Sequence, residues 1–115
     1  MTTKIWHNPS CSKSRETLAL LKGNGIEPEV VLYKKNAPSE ADIRAVLRAL
    51  GNPALGLIRQ KGTAFKALGC AADASEDTLI AAMVAHPEII ERPVVWHDGK
   101  AALGRPPENV LKLFN

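Results

Sequence analysis

Residues 4–22 have the sequence KIWHNPSCSKSRETLALLK, which changes from a strand pattern to a helix pattern across a short turn. The first four residues, 4–7, predict a short strand, and Asn8-Pro9-Ser10 is typical of a turn. From residue 12 to about residue 22 the leucines recur on one side, which predicts a helix with one apolar face. Cys11 therefore lies where the first strand ends and the first helix begins.

Three further segments complete a predicted sheet around this unit. Val30–Tyr33 is continuously apolar and predicts a buried strand, and a strand, a helix and a second strand in that order suggest a βαβ unit with parallel strands. Nearer the C-terminus, Pro93–His97 and Ala101–Leu103 flank Asp98-Gly99, a pair typical of a two-residue hairpin turn. A final helix is predicted to begin at Pro106-Pro107-Glu108, with Val110, Leu111 and Phe114 facing inward.

The middle of the chain has helical patterns only. Ser39 is the natural N-cap of one helix, because acidic residues follow it in the first turn, and Ser75 begins another. The order of elements predicts an α/β fold of the thioredoxin/glutaredoxin type, with a mixed four-stranded sheet. A helical insert at about residues 39–86 separates its βαβ and ββα halves. We expect a single domain over residues 1–115.

The composition is that of an ordinary soluble domain. Of 115 residues, 45% are hydrophobic and 23% are charged. Two cysteines cannot form a disulfide framework, and no apolar run approaches the ~20 residues that a membrane span needs. The N-terminus lacks the apolar stretch of a signal peptide, so a cytoplasmic protein with reduced thiols is expected.

Charge and residue content exclude several kinds of ligand. A net charge of +3 with only 4% aromatic residues does not favour nucleic acid binding. The three histidines are scattered without zinc-ligand spacing, so neither a metal ion nor another bound cofactor is expected. We expect a monomer that makes no membrane contact.

Cys11 is the residue best placed for chemistry. A helix N-terminus presents free N–H groups and the positive end of the helix dipole, and both favour a thiolate over a thiol. His7 precedes the cysteine, and Lys13 and Arg15 follow it. A buried structural cysteine is the alternative, but this setting favours a reactive thiol.

The spacing around Cys11 excludes two familiar kinds of thiol site. A thioredoxin-type dithiol needs a second cysteine at position 14, where this chain has Ser14, and a phosphatase loop needs an arginine where it has Thr17. Cys11 is therefore expected to act as a single thiol whose resolving partner comes from elsewhere. Cys70 lies beside Gly69 and two alanines, without a basic cluster, and is expected to be a small buried residue.

The segment His7–Arg15, HNPSCSKSR, resembles the active-site segment of glutaredoxin-linked arsenate reductases, the ArsC family. The resemblance continues in order through Leu32-Tyr33, Leu57-Ile58-Arg59, Glu91–Val95 and Gly104-Arg105-Pro106, and so spans essentially the whole chain. Several motifs in register are far more specific than one cysteine loop. We expect a short form of the family, without the C-terminal extension that well-known members carry.

The resemblance implies an activity and a set of site residues. Cys11 is implied as the nucleophile that attacks arsenate, and His7 as a residue that helps to lower its pKa. Glutathione then attacks the thiol–arsenate adduct, and glutaredoxin completes the reduction to arsenite. Arg59, Arg92 and Arg105 are implied as the cage that holds the oxyanion. The residues expected to support the site are Ser14, Arg15 and Pro93, the last after a cis peptide bond and facing the cysteine.

Two other functions stay open at this point. A transcriptional adaptor of the Spx type shares the architecture and binds RNA polymerase, although such regulators commonly carry C-x-x-C and this chain has Ser14. A monothiol oxidoreductase acting on glutathione mixed disulfides is the third possibility. The three arginines favour an oxyanion substrate over both, because a planar guanidinium pairs with two oxygens at once.

Overall fold

The computed structural model describes residues 3–60, 64–69 and 73–114. The chain divides into two compact units, one formed by residues 1–36 and 92–115 and the other by residues 37–91. The first contains the sheet and Cys11, and the described residues of the second form helices and one isolated β-bridge.

The sheet of the first unit has four strands, which are β1 (Thr3–Trp6), β2 (Glu29–Val31), β3 (Val94–His97) and β4 (Lys100–Leu103). Their order across the sheet is β2-β1-β3-β4. β1 pairs with β2 in parallel, and the two other pairings are antiparallel. The predicted mixed four-stranded sheet is confirmed.

One core holds the first unit together. Helix α1 (Ser12–Gly23) follows β1 and contributes Leu21, which is fully buried. This leucine packs into one cluster with side chains from three strands and the C-terminal segment; its buried partners are Ile5, Val95, Ala102, Val110 and Leu113. Burying a large aliphatic side chain contributes about 1.5–3 kcal/mol, so this cluster fixes α1 against the strands on which the site depends.

Two sequence expectations for this unit are wrong. The segment Val30–Tyr33 is not a continuously buried strand: β2 is an edge strand that ends at Val31 and leaves Val30 42% exposed, while Tyr33, beyond the strand, is fully buried. The C-terminal segment Pro107–Phe114 is a 3₁₀ helix. Because a 3₁₀ helix has three residues per turn, it buries Pro107, Val110 and Leu113, not Leu111.

The hairpin turn and Pro93 agree with the expectations. Asp98 and Gly99 have φ values of 50° and 77°, the left-handed backbone that a type I′ turn requires at both central positions. The peptide bonds Arg92–Pro93 and Arg105–Pro106 are cis.

The second unit is built from α2 (Glu40–Leu50), α3 (Ala64–Ala67), α4 (Glu76–Ala85) and two short 3₁₀ helices, Ala54–Leu57 and Pro87–Ile89. Ser39 caps α2 as predicted, in a reciprocal capping box with Asp42. Arg44 joins α2 to α4 by ion pairs with Glu40 and Asp77. Among the helices of the described residues, none has the length and apolar character needed to span a membrane.

Candidate active site

Cys11 is the N-cap residue of α1 and is half-buried. Its backbone is extended, with φ −96° and ψ 123°. The N–H of Cys11 donates to the Asn8 carbonyl at 3.0 Å, and the N–H of Arg15 donates to the Cys11 carbonyl at 3.0 Å. These two bonds hold the turn at the start of α1, where the backbone N–H groups of Ser14 and Lys13 lower the pKa of the Cys11 thiol.

Two arginine side chains reach the same thiol. Nη2 of Arg105 lies 3.6 Å from Cys11 Sγ, and its Nε donates to the Arg92 carbonyl at 2.8 Å. The guanidinium of Arg92 also donates to the Cys11 thiol. The predicted site residues Cys11, Arg92 and Arg105 are therefore neighbours in the first unit, although Cys11 and Arg105 are 94 residues apart in the sequence.

Arg59, the third predicted arginine, lies in the second compact unit. Its backbone N–H donates to the Ile89 carbonyl at 2.7 Å, beside a β-bridge between Ile58 and Ile90, and its side chain is half-buried. Its place in the anion cage stays a prediction that a substitution can test.

The balance of forces on Cys11 favours the thiolate. Burial raises the pKa of the Cys11 thiol, but hydrogen bonds from the Ser14 N–H, the Arg92 guanidinium and the Lys13 N–H lower it, and so does the positive charge of Arg92. The net result is a pKa below the ordinary value. A helix N-terminus and a guanidinium are the surroundings that stabilise a reactive cysteine in its ionised form.

We therefore expect the pKa of Cys11 to lie below the ordinary value of about 8.5. Because ionisation is favoured, reactivity rises with pH only up to that lowered pKa and is constant above it. Titrating the thiolate absorbance at about 240 nm, in the wild type against Cys11→Ser, measures it. A pKa of about 8.5 or higher would contradict the geometry just described.

His7 contacts Ser14. It is buried at the end of β1, and its Nδ1 lies 2.6 Å from Ser14 Oγ. Burial lowers the pKa of His7, and the charge of Arg15 lowers it further, so the imidazole is neutral at neutral pH. We therefore expect an effect of His7 on the thiol to pass through Ser14, whose N–H lowers the pKa of the thiol, and not through a positive charge.

The side chains of Arg15 and Lys13 bind groups other than the Cys11 sulfur. Nη1 of Arg15 donates to the Pro9 carbonyl at 2.9 Å, which braces the turn before Cys11. Lys13 makes an exposed ion pair with Glu16 at 3.5 Å. The basic neighbours of Cys11 thus shape the loop, and the charges at the thiol come from Arg92 and Arg105.

Two buried polar residues were not singled out from the sequence. Asn8 accepts a hydrogen bond from the Ser10 N–H through its side chain and donates its own N–H to Ser14 Oγ, each at 3.0 Å; its position before a proline is a signal that could have found it. Thr17 is fully buried and donates to the Lys13 carbonyl at 2.8 Å, and no local pattern marks it.

The last of the predicted site residues is Pro93. Pro93 is buried and accepts, through its carbonyl, a hydrogen bond from the Gly104 N–H at 3.0 Å. Cys70 lies outside the described residues. Within the described residues, no three His, Cys, Asp or Glu side chains come together as a metal site.

Comparison with known proteins gives this arrangement its context. A model of the ArsC family matches residues 6–113. The chain belongs to the ArsC family. It is 54% identical over 112 residues to the uncharacterized protein YfgD of Escherichia coli strain K12, covering 96% of this chain and 94% of that protein.

Relatives with a named activity support the same placement. An arsenate reductase of Rhizobium meliloti is 45% identical over 115 residues, covering 99% of this chain and 82% of that protein. The solved structure of an arsenate reductase from Vibrio cholerae superimposes with a TM-score of 0.93 at 45% identity and covers 98% of each chain. The thioredoxin-like fold of the ArsC family, expected from the order of elements, is therefore confirmed.

Proposed function

We propose that this protein is an arsenate reductase that uses Cys11 as its nucleophile and glutathione with glutaredoxin as its electron donors. The observation that carries the proposal is the contact of one thiol, at a helix N-terminus, with the guanidinium groups of Arg92 and Arg105. Membership of the ArsC family and the names of its curated relatives support arsenate as the substrate.

The first step requires an anion to approach an anion. Arsenate is a dianion near neutral pH, and a thiolate repels it. Each guanidinium charge at ~4 Å offsets this repulsion by a few kcal/mol at an effective dielectric constant of about 20, and its planar fork holds two arsenate oxygens. The Cys11 sulfur then bonds to arsenic, and one arsenate oxygen leaves as water after taking up protons.

The reduction itself needs a second thiol. Glutathione supplies it: its sulfur and the Cys11 sulfur form a disulfide, the two electrons pass to arsenic, and arsenite leaves. Glutaredoxin and a second glutathione then reduce the mixed disulfide, which restores the Cys11 thiol and releases oxidised glutathione. Ser14, at the position where a dithiol enzyme has its second cysteine, cannot take this part because it has no thiol.

The test is arsenite formation by the purified protein, coupled to NADPH oxidation through glutathione reductase, with each donor left out in turn. We expect activity to require glutathione and to rise when glutaredoxin is added. Arsenite formation that is equally fast without glutathione would contradict the proposed donors while leaving the arsenate reductase standing. No arsenite with any donor would contradict the activity itself.

The two other functions make different predictions for the same preparation. An adaptor of the Spx type captures RNA polymerase from a lysate and forms no arsenite. A monothiol oxidoreductase reduces glutathione mixed disulfides, and added arsenate does not inhibit that reaction. The two guanidinium groups at the thiol favour the oxyanion substrate.

We place the reaction in the cytoplasm, where thiols are kept reduced.

A further inference from the structure

Gly104 lies at the junction of the structural elements that form the site. It follows β4 directly, is buried, and donates its N–H to the Pro93 carbonyl at 3.0 Å. The next residue along the chain is Arg105, and the residue before Pro93 is Arg92. The hydrogen bond from Gly104 therefore ties together the two backbone segments that carry the site arginines.

No side chain fits at this position. A Cβ on Gly104 would lie 2.6 Å from Pro93 Cγ, and it would overlap Thr17 Oγ1 even more closely. Real Cβ atoms essentially never come within 3.0 Å of a heavy atom that belongs to a residue distant in the chain. The backbone of Gly104 thus touches α1 on one side and the Pro93 ring on the other.

Neither neighbour can withdraw from an added methyl group. Thr17 is fully buried on α1, and its hydroxyl is committed to the Lys13 carbonyl at 2.8 Å. Pro93 is buried, and its ring has no free rotation about the N–Cα bond. A larger residue at position 104 must therefore move backbone, and tightly packed interiors transmit such displacements.

We propose that Gly104 is a positioning residue that sets the separation between the Cys11 thiol on α1 and the guanidinium groups of Arg92 and Arg105. Thr17 belongs to the same helix as Cys11, and a methyl group between Thr17 and Pro93 pushes that helix away from the arginines. The Arg105 Nη2–Cys11 Sγ contact, already 3.6 Å long, is lengthened first. The consequence for catalysis rests on the proposed function, but the effect on the thiol does not.

The experiment compares Gly104→Ala with Gly23→Ala. Gly23 also belongs to α1, but a Cβ there meets nothing within 4 Å, so the two variants add the same methyl group with and without a collision. The readout is the rate at which iodoacetamide alkylates Cys11 as a function of pH, followed on the Cys11 peptide by mass spectrometry so that Cys70 does not contribute.

We expect Gly104→Ala to raise the Cys11 pKa by about one unit, a tenfold loss of thiolate at pH values below the pKa. With arsenate as substrate, kcat/KM is expected to fall roughly 10- to 100-fold, since misplacing a reacting group by ~1 Å has effects of this size. Gly23→Ala keeps the wild-type pKa and kcat/KM. A lower melting temperature of Gly104→Ala with an unchanged thiol pKa would show a purely structural role and overturn the proposal.

A second variant separates the collision from any other effect of the alanine. In Gly104→Ala/Thr17→Ala the threonine hydroxyl is gone and only the contact with Pro93 remains, so the Cys11 pKa is expected between those of the wild type and Gly104→Ala. If Gly104→Ala does not fold, this double variant is measured in its place, and a wild-type pKa in it overturns the proposal. The Cys11 pKa obtained from the alkylation rates tests the role of Gly104 even if the protein reduces no arsenate.

Discussion

Cys11→Ser is expected to lower the rate of arsenite formation by roughly 10³-fold or more, to the background without protein. A thiol has a far lower pKa than an alcohol, and the Ser14 and Lys13 amides and the Arg92 guanidinium lower the pKa of the Cys11 thiol further. A serine hydroxyl at this position therefore stays protonated at a pH where the Cys11 thiol is ionised. Serine also cannot form the mixed disulfide through which two electrons reach arsenic. The measurement is arsenite released per protein under saturating glutathione and glutaredoxin.

Cys70→Ser is the matched control, because it makes the same atomic change at the other cysteine of the chain. We expect it to keep most of the activity, since Cys70 has no basic cluster around it in the sequence and the thiolate is the reactive form of cysteine. Loss of activity in Cys70→Ser as well would replace the glutathione step by an internal disulfide between the two cysteines. Full activity in Cys11→Ser would contradict the nucleophile.

Arg92→Ala and Arg105→Ala are each expected to weaken the binding of arsenate, sulfate or phosphate by about 10- to 150-fold. This range corresponds to the ~1.5–3 kcal/mol that a hydrogen bond to a charged group contributes. Since Arg92 also donates to the thiol and Arg105 lies 3.6 Å from it, both substitutions raise the Cys11 pKa. Calorimetric titration with each anion and the absorbance titration of the thiol measure the two effects separately.

Two further arginine variants sharpen this prediction. Arg48→Ala, on the exposed side of α2, controls for the loss of one positive charge from the whole molecule and is expected to leave both quantities unchanged. Arg59→Ala tests the third member of the predicted cage, with weaker anion binding as the expected result. Unchanged anion affinity in Arg59→Ala, Arg92→Ala and Arg105→Ala together would refute a shared anion site.

Much of the fold was predictable because its signals are local. The positive φ values that Asp98 and Gly99 adopt are favoured by those residue types themselves. Ser39, with acidic residues in the turn that follows it, likewise has the local pattern of a helix N-cap, and it caps α2 in the structure. Cys11 could likewise be placed at a helix N-terminus, because Asn8 and Pro9 interrupt one pattern and the leucines of α1 begin another.

Burial was harder to predict, because it depends on what lies on the other side of an element. The run around Val30 has the composition of an interior strand, yet β2 lies beside β1 at the edge of the four-stranded sheet and leaves Val30 exposed. In the last segment the change from 3.6 to 3.0 residues per turn moves burial from Leu111 to Leu113. Both errors arose because burial depends on contacts with parts of the chain that are distant in sequence.

The site shows the same division. The residue types that carry the chemistry, a cysteine at a helix N-terminus and arginines before prolines, could be identified along the chain. Their roles depend on distance: the guanidinium groups of Arg92 and Arg105 reach the thiol, while the Lys13 and Arg15 side chains, nearest in sequence, are bound to Glu16 and Pro9 instead. The stabilisation of a thiolate by a positive charge falls with the distance between the two charges and not with their separation along the chain. The tertiary structure therefore decides which arginines act on Cys11. The absence of a side chain at Gly104 has meaning only once α1 and Pro93 are packed against it.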